Sequence, residues 1–193
     1  MQTLDLRSES GDVRRFIPRA QIDVASAEAA VGGVIERVRS GGEQAVLEIG
    51  EQFDKVRPPS LRVPESVIDA ALAHLDPAVI ESLEEAIRRV RAVHGDQLPE
   101  PHTTTVAPGA NVSQRWVPVD RVGLYVPGGR AVYPSSVVMN VVPAQLAGVR
   151  SIAIASPPQI EFGGWPHPTI LAAAKLLGID EVYAVGGAQA IAW

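Results

Sequence analysis

The chain has 193 residues, a formal net charge of −5 and no cysteine. The negative charge disfavours a nucleic-acid or anionic-membrane surface, because either needs a basic stripe. The missing cysteines exclude disulfides and thiolate chemistry. No window reaches the roughly 18 apolar residues of a membrane span, and the amino-terminal stretch lacks the apolar centre of a signal peptide. With 46% hydrophobic and 20% charged residues, we expect a soluble cytoplasmic α/β protein.

Periodic apolar positions predict four amphipathic helices in the first hundred residues. The first spans Ala27–Arg39 and ends at Gly41-Gly42, and the second begins at Glu43. The third begins near Pro64, because proline is tolerated in a first turn. The fourth begins at Asp76-Pro77, where a capping carboxylate precedes a first-turn proline. The positions expected to face the interior in the first two helices are Val31, Val34, Ile35, Val38, Val46, Ile49 and Phe53.

A β-hairpin is predicted next. A proline-rich connector, Gly95–Pro101, precedes two β-rich runs, Thr103–Val106 and Val112–Val117. The five residues APGAN between them predict a turn longer than two residues. We interpret residues 1–118 as an amino-terminal domain of helices and a hairpin that serves as scaffold and carries no catalytic residue.

The second half has a βαβαβ pattern. Three short apolar runs, Val122–Val126, Ser151–Ala155 and Glu181–Val185, are about thirty residues apart. Helical patterns over Ser135–Leu146 and Thr169–Leu177 lie between them. Continuously apolar runs are typical of parallel strands buried on both faces. Residues 119–193 are therefore predicted to form an incomplete Rossmann-like parallel unit, which makes the fold class α/β.

The carboxyl ends of these strands fall on one edge, where open parallel sheets bind ligands. The residues there are Pro127-Gly128-Gly129, Ser156-Pro157-Pro158 and Gly186-Gly187-Ala188-Gln189. The glycine pairs either let a backbone approach a polar ligand or only make tight turns. Because no G-x-G-x-x-G word follows a strand, these residues by themselves predict a polar small-molecule site, with a nucleotide as one candidate.

Arginines and histidines offer few further candidates. Arg115, Arg121 and Arg130 surround the first parallel strand, where they could hold a phosphate or be solvated or paired with Asp120. The four histidines are His74, His94, His102 and His167. No two of them have the spacing of a zinc site, so we interpret each as solvated or at a helix end.

Several long sequence motifs, in their order along the chain, resemble those of one enzyme family. They are RVGLYVPGG, YPSSVVMNVVPAQLAGV, SIAIASPPQ, PHPTILAAAKLLG and DEVYAVGGAQAIA, with an earlier word VIERVRSGGEQAVLEIGEQFD. Together they resemble histidinol dehydrogenase, most of all its actinobacterial branch, from about residue 20 to the end.

The resemblance implies a cytoplasmic, homodimeric, zinc-containing oxidoreductase of histidine biosynthesis. Such an enzyme oxidises L-histidinol through L-histidinal to L-histidine with two NAD⁺. The resemblance also implies that Tyr125 of the GLYVPGG motif and Gln189 of the VGGAQAI motif contact NAD. No partner besides the small substrate and a second subunit is implied, and neither nucleic acid nor membrane is expected.

The resemblance also implies residues that this sequence does not contain. A third NAD contact in a GPGN word, the zinc ligands and a catalytic Glu-His pair belong to words absent from the 193 residues. We therefore expect an amino-terminal fragment that is inactive as a dehydrogenase by itself. The alternatives are a catalytically empty nucleotide-binding module, or a pseudo-enzyme subunit that pairs with another chain.

Overall fold

The computed structural model describes residues 5–7, 10–12, 16, 24–128 and 131–193. Its helices are α1 (Val24–Asp54), α2 (Glu65–Ala73), α3 (Pro77–Asp96), α4 (Pro134–Leu146), α5 (Pro168–Leu176) and α6 (Gly187–Ala192). Its strands are β1 (His102–Ala107), β2 (Ala110–Gln114), β3 (Arg121–Tyr125), β4 (Ser151–Ser156) and β5 (Val182–Ala184). This is the predicted α/β fold, with helices and a hairpin before a parallel sheet. None of the described helices is both long enough and apolar enough to cross a membrane.

The predicted helix boundaries follow local chemistry. Gly42 interrupts α1 with non-helical angles (φ 54°, ψ −141°), which glycine adopts without a side-chain clash, and this confirms the predicted break between two helices. At the start of α3, the Asp76 carboxylate accepts a hydrogen bond from the Ala78 amide at 2.8 Å. That carboxylate satisfies one of the backbone donors left free in the first turn.

The apolar face of α1 is only partly covered. Val38 and Ile49 are buried as predicted, whereas Val31 is 40% and Phe53 64% exposed. The amino-terminal turns of α1 are bare because the helix is much longer than α6, on which it packs. The prediction that Phe53 faces the interior is wrong, because the buried face of the helix ends with Ile49 and Gly50.

The hairpin turn is shorter than predicted. β1 and β2 are antiparallel, and Ala107 pairs with Ala110. Only Pro108 and Gly109 therefore lie between the paired residues, so the prediction of a longer turn is wrong. Gly109 has φ 76°, a left-handed value that lets a two-residue turn close. The first strand begins at His102, one residue before the predicted run Thr103–Val106.

The parallel sheet has the order β3-β4-β5. Its register aligns Tyr125 with Ala155 and Ala155 with Tyr183. A short segment from the first half, centred on Arg62, forms an antiparallel bridge to Tyr183 at the outer side of β5. Two backbone hydrogen bonds flank the bridge, from Val63 N to Val182 O at 2.8 Å and from Ala184 N to Leu61 O at 2.7 Å.

The two faces of the sheet are covered unequally. One face packs on α4 and α5, which pack in turn on α3 and α2 and form the larger core. On the other face, α1 and α6 cover the β5 side, where Tyr183 and Val185 join the smaller core. The residues of β3 on that face, Arg121, Gly123 and Tyr125, are exposed. The prediction that all three strands are buried on both faces is therefore wrong for β3.

The predicted boundary between residues 118 and 119 stays a prediction. The larger core contains Val63 and Ile68 from the first half together with Val137 and Ile170 from the second. Apolar packing is thus continuous across the boundary.

Candidate ligand site at the carboxyl edge of the sheet

Tyr125 is the last residue of β3, on the open face of the sheet, and is 37% exposed. Its phenol oxygen accepts a long hydrogen bond of 3.5 Å from the amide of Gly187, the first residue of α6. Because β4 separates β3 from β5, the phenol must span the end of the middle strand to reach this amide. Tyr125 thereby connects the two outer strand ends.

Gln189 lies in the first turn of α6 and is 2% exposed. Its side-chain amide lies against Gly187, where an added Cβ would stand 2.6 Å from Gln189 Oε1. Gly187 also has φ 66°, so the backbone angle favours glycine here, and a Cβ would displace the end of the Gln189 side chain. The structure thus brings both predicted residues to Gly187, with Tyr125 accessible and Gln189 enclosed.

The other glycines of this edge are explained by packing. A Cβ on Gly128 would lie 2.9 Å from Ser156 Oγ and 3.2 Å from Ile170 Cδ1. A Cβ on Gly186 would lie 2.7 Å from the Cβ of Pro157. Close approach between neighbouring turns therefore accounts for these two positions without a ligand. The remaining members of the two predicted glycine-rich turns are Gly187, described above, and Gly129, which lies outside the described residues.

Two polar side chains at this edge were not predicted as ligand contacts: Gln159, which was not named, and Ser156, which was named only as the residue at the end of the second strand. The Gln159 side-chain amide donates to the carbonyl of Gly128 and ties the first turn to the second. Ser156 is completely buried at the end of β4, and its Oγ has no hydrogen-bond partner among the described residues. The available signal was a serine at the end of an otherwise apolar run, SIAIAS.

An open cleft of about 500 Å³ lies over the uncovered part of the sheet. Its walls include Tyr125, Tyr183, Ala190 and Trp193. The rings of Tyr183 and Trp193 meet edge to face with centroids 5.1 Å apart, an arrangement that aromatic pairs prefer. The cleft therefore presents aromatic surface beside the phenol of Tyr125.

A polar network occupies the opposite, amino-terminal edge of the sheet. Arg121 donates to both carboxylate oxygens of Glu181, at 3.0 and 2.5 Å, and to Ser151 Oγ. These bonds from Arg121, with one from the Tyr183 hydroxyl, lower the pKa of Glu181 to about 2. Arg121 is four residues before Tyr125, roughly 13 Å along an extended strand, so its guanidinium bonds at the amino-terminal edge while Arg121 also lines the cleft that Tyr125 borders.

The predicted arginine cluster is not assembled by the described residues. Arg121 pairs with Glu181 and not with Asp120, which instead accepts from Arg150 at 2.5 Å. Arg115 is exposed, and Arg130 lies outside the described residues. The suggested pairing of Arg121 with Asp120 is therefore wrong, because the parallel register aligns Arg121 with Ser151, beside Glu181.

Three of the four histidines lie at the ends of helices. His167 caps α5, and its Nδ1 accepts from the Thr169 amide at 3.2 Å. Its ring meets Phe162 edge to face at 4.8 Å, and burial lowers the pKa of His167. His74 and His94 lie at the ends of α2 and α3. Across the described ranges, no group of three or more His, Cys, Asp or Glu side chains could hold a metal ion.

Known proteins with similar sequences include two bacterial histidinol dehydrogenases. Histidinol dehydrogenase of Thermobifida fusca is 66% identical over 189 residues, a match that covers 98% of this chain and 43% of that protein. Histidinol dehydrogenase of Corynebacterium glutamicum is 58% identical over 195 residues, covering 100% of this chain and 44% of that protein. The chain thus spans less than half the length of these relatives.

Structural comparison agrees with the sequence. The crystal structure of histidinol dehydrogenase from Elizabethkingia anophelis matches with a TM-score of 0.81 at 31% identity, covering 91% of this chain and 39% of that one. The sequence pattern of the family described as histidinol dehydrogenase matches residues 17–193. The chain therefore belongs to the histidinol dehydrogenase family.

Proposed function

We propose that this chain supplies the NAD⁺-contacting sheet of a histidinol dehydrogenase, with Tyr125 and Gln189 as contacts to the dinucleotide. The reaction is the oxidation of L-histidinol through L-histidinal to L-histidine, the last steps of histidine biosynthesis. The observation that carries the proposal is the convergence of these two side chains on Gly187 at the carboxyl edge. Open parallel sheets bind their ligands at that edge.

The residues present fit a polar, partly aromatic ligand. Tyr125 offers a hydroxyl held by one long bond of 3.5 Å, which a better acceptor or donor on a ligand can replace. Gln189 offers an amide with both donors and an acceptor, although its 2% exposure requires the amide to turn outward for contact. NAD⁺, when bound, supplies the hydride acceptor of the reaction, and the side chains of this edge bind and orient it.

Zinc has no comparable fit within the described part of the chain, since no suitable group of ligand side chains is present there. The words that carry the family's zinc ligands and catalytic Glu-His pair are also absent from the sequence. We therefore propose that this chain by itself binds NAD⁺ without oxidising histidinol. The homodimer, the cytoplasmic location and the absence of nucleic-acid or membrane partners are part of the same proposal, in keeping with the net charge of −5.

The test is calorimetric titration of NAD⁺ into the wild-type chain and into Tyr125→Phe and Gln189→Ala. Each change removes one hydrogen-bonding group, so we expect about tenfold weaker binding. Gln97→Ala is the matched control, because Gln97 is an exposed glutamine at the end of α3. Arg91 of that helix bonds to Gln145, which lies beside Ser151 and Glu181 at the amino-terminal edge of the sheet. Circular dichroism checks that each variant is folded.

Two outcomes contradict the proposal. If both site variants bind NAD⁺ as tightly as the wild type, the residue assignment is wrong. If the 193-residue chain turns over histidinol with NAD⁺ and zinc, the proposal that it binds without catalysis is wrong.

A further inference from the structure

The hydroxyl of Ser156 is in an energetically unfavourable position. The residue is fully buried, and its Oγ has no hydrogen-bond partner among the described residues. A buried hydroxyl without a partner loses its bonds to water and gains nothing in return. Alanine would fill nearly the same space without this cost, so packing alone does not account for a serine here.

The position of Ser156 indicates what the hydroxyl is for. Ser156 ends β4, the middle strand, so it lies at the centre of the edge where open parallel sheets bind ligands. The turn at Gly128 covers it on one side, close enough that a Cβ on Gly128 would stand 2.9 Å from Oγ. On the other side, the next residue, Pro157, contacts the turn at Gly186.

The backbone that covers the hydroxyl is that of Gly128, which has no side chain. Among the described residues, the Gln159 side chain donates a hydrogen bond to the Gly128 carbonyl, and Gly128 packs closely on Ser156 and Ile170. A ligand that displaces Gly128 would uncover a hydroxyl that can donate one hydrogen bond and accept others. The ligand chemistry that suits it is an oxygen-rich group, such as a phosphate or a ribose hydroxyl.

We propose that Ser156 is a dinucleotide-binding residue whose hydroxyl is covered by Gly128 in the free chain and donates to a dinucleotide oxygen when the ligand displaces Gly128. The inference rests on the proposed NAD⁺ binding and adds a contact to it. It predicts effects of opposite sign on stability and on binding, because removing the hydroxyl relieves the cost in the free chain and deletes a contact in the complex.

The experiment compares Ser156→Ala with Ser151→Ala. Both serines belong to β4, but Ser151 is at the opposite end and its hydroxyl is bonded to Arg121. Thermal unfolding is measured without ligand, and NAD⁺ affinity is measured by calorimetry. Ser156→Ala is expected to raise the unfolding midpoint by about 2–4 °C and to weaken NAD⁺ binding about tenfold. Ser151→Ala is expected to lower the midpoint and leave the affinity unchanged.

The outcomes separate this inference from the proposal beneath it. An unfolding midpoint that is unchanged or lower in Ser156→Ala shows that the hydroxyl is already satisfied, and overturns the inference whatever NAD⁺ does. Unchanged NAD⁺ affinity in Ser156→Ala, with weakened affinity in Tyr125→Phe, overturns the role of Ser156 alone. A wild-type chain that does not bind NAD⁺ overturns both.

Discussion

Substitution of Gly186 by alanine tests whether packing between strand ends requires glycine at this edge. Gly186 has φ −122°, an angle that any residue adopts, so backbone strain is not the issue. The added Cβ would lie 2.7 Å from Pro157 Cβ and 3.3 Å from its Cα. Neither atom is the end of a flexible side chain, so the two turns must separate.

The expected magnitude follows from the cost of forcing a methyl group into a closely packed site. We expect Gly186→Ala to destabilise the chain by about 2 kcal/mol. For a domain of this size, that lowers the unfolding midpoint by about 4–8 °C. Gly123→Ala is the matched control, because Gly123 lies within β3 and a Cβ there has nothing within 4 Å. Glycine is unfavourable inside a strand, so this control is expected to gain about 0.5–1 kcal/mol.

The assay is thermal and urea unfolding followed by circular dichroism for the wild type and both variants. Opposite signs for Gly186→Ala and Gly123→Ala are the predicted result. If Gly186→Ala unfolds at or above the wild-type midpoint, the close approach of Pro157 does not constrain this position. The explanation of the glycine by packing is then refuted.

Two carboxylates are predicted to shift stability with pH in opposite directions. The Arg121 guanidinium holds the pKa of Glu181 at about 2 against its ordinary 4.5, so the ion pair's contribution is present above pH 4.5 and is lost as the pH falls towards 2. Urea unfolding of Glu181→Gln should therefore show its largest deficit at pH 7 and its smallest at pH 2 and below; a deficit that is constant with pH would contradict this. Burial raises the pKa of Asp54, whose Oδ2 has no partner among the described residues, so its charged form destabilises the fold. Asp54→Asn should raise the unfolding midpoint at pH 7, with the gain disappearing as the pH falls below the pKa values of both states; a lower midpoint at pH 7 would show that the charge is compensated.

Local signals in the sequence predicted most of the helices and the order of the strands. Asp76 before Pro77 specifies a helix start by its own chemistry, and the carboxylate caps α3 as expected. The glycine pair at 41–42 predicted the break in α1 for a similar local reason. By contrast, the exposed face of β3 could not be read from apolar content, because burial depends on which helices reach the strand.

The candidate site was predicted in its location but not in its detail. The two named residues, Tyr125 and Gln189, came from a family resemblance, and the order of the strands explains why they meet. The reasons for Gly128 and Gly186 lie in neighbours about 30 residues away along the chain, Ser156 and Pro157. The isolation of the Ser156 hydroxyl depends on the distances to every surrounding atom, which no local pattern contains.

The bridge between Arg62 and Tyr183 has a consequence for how the chain folds. It joins residues about 120 positions apart, so forming it closes a long loop and loses more chain entropy than pairing β3 with β4. Contacts this distant in sequence slow folding, since their entropy is lost before the contact is gained. During synthesis from the amino terminus, the segment around Arg62 can pair with the sheet only after β5 has been made, about 120 residues later.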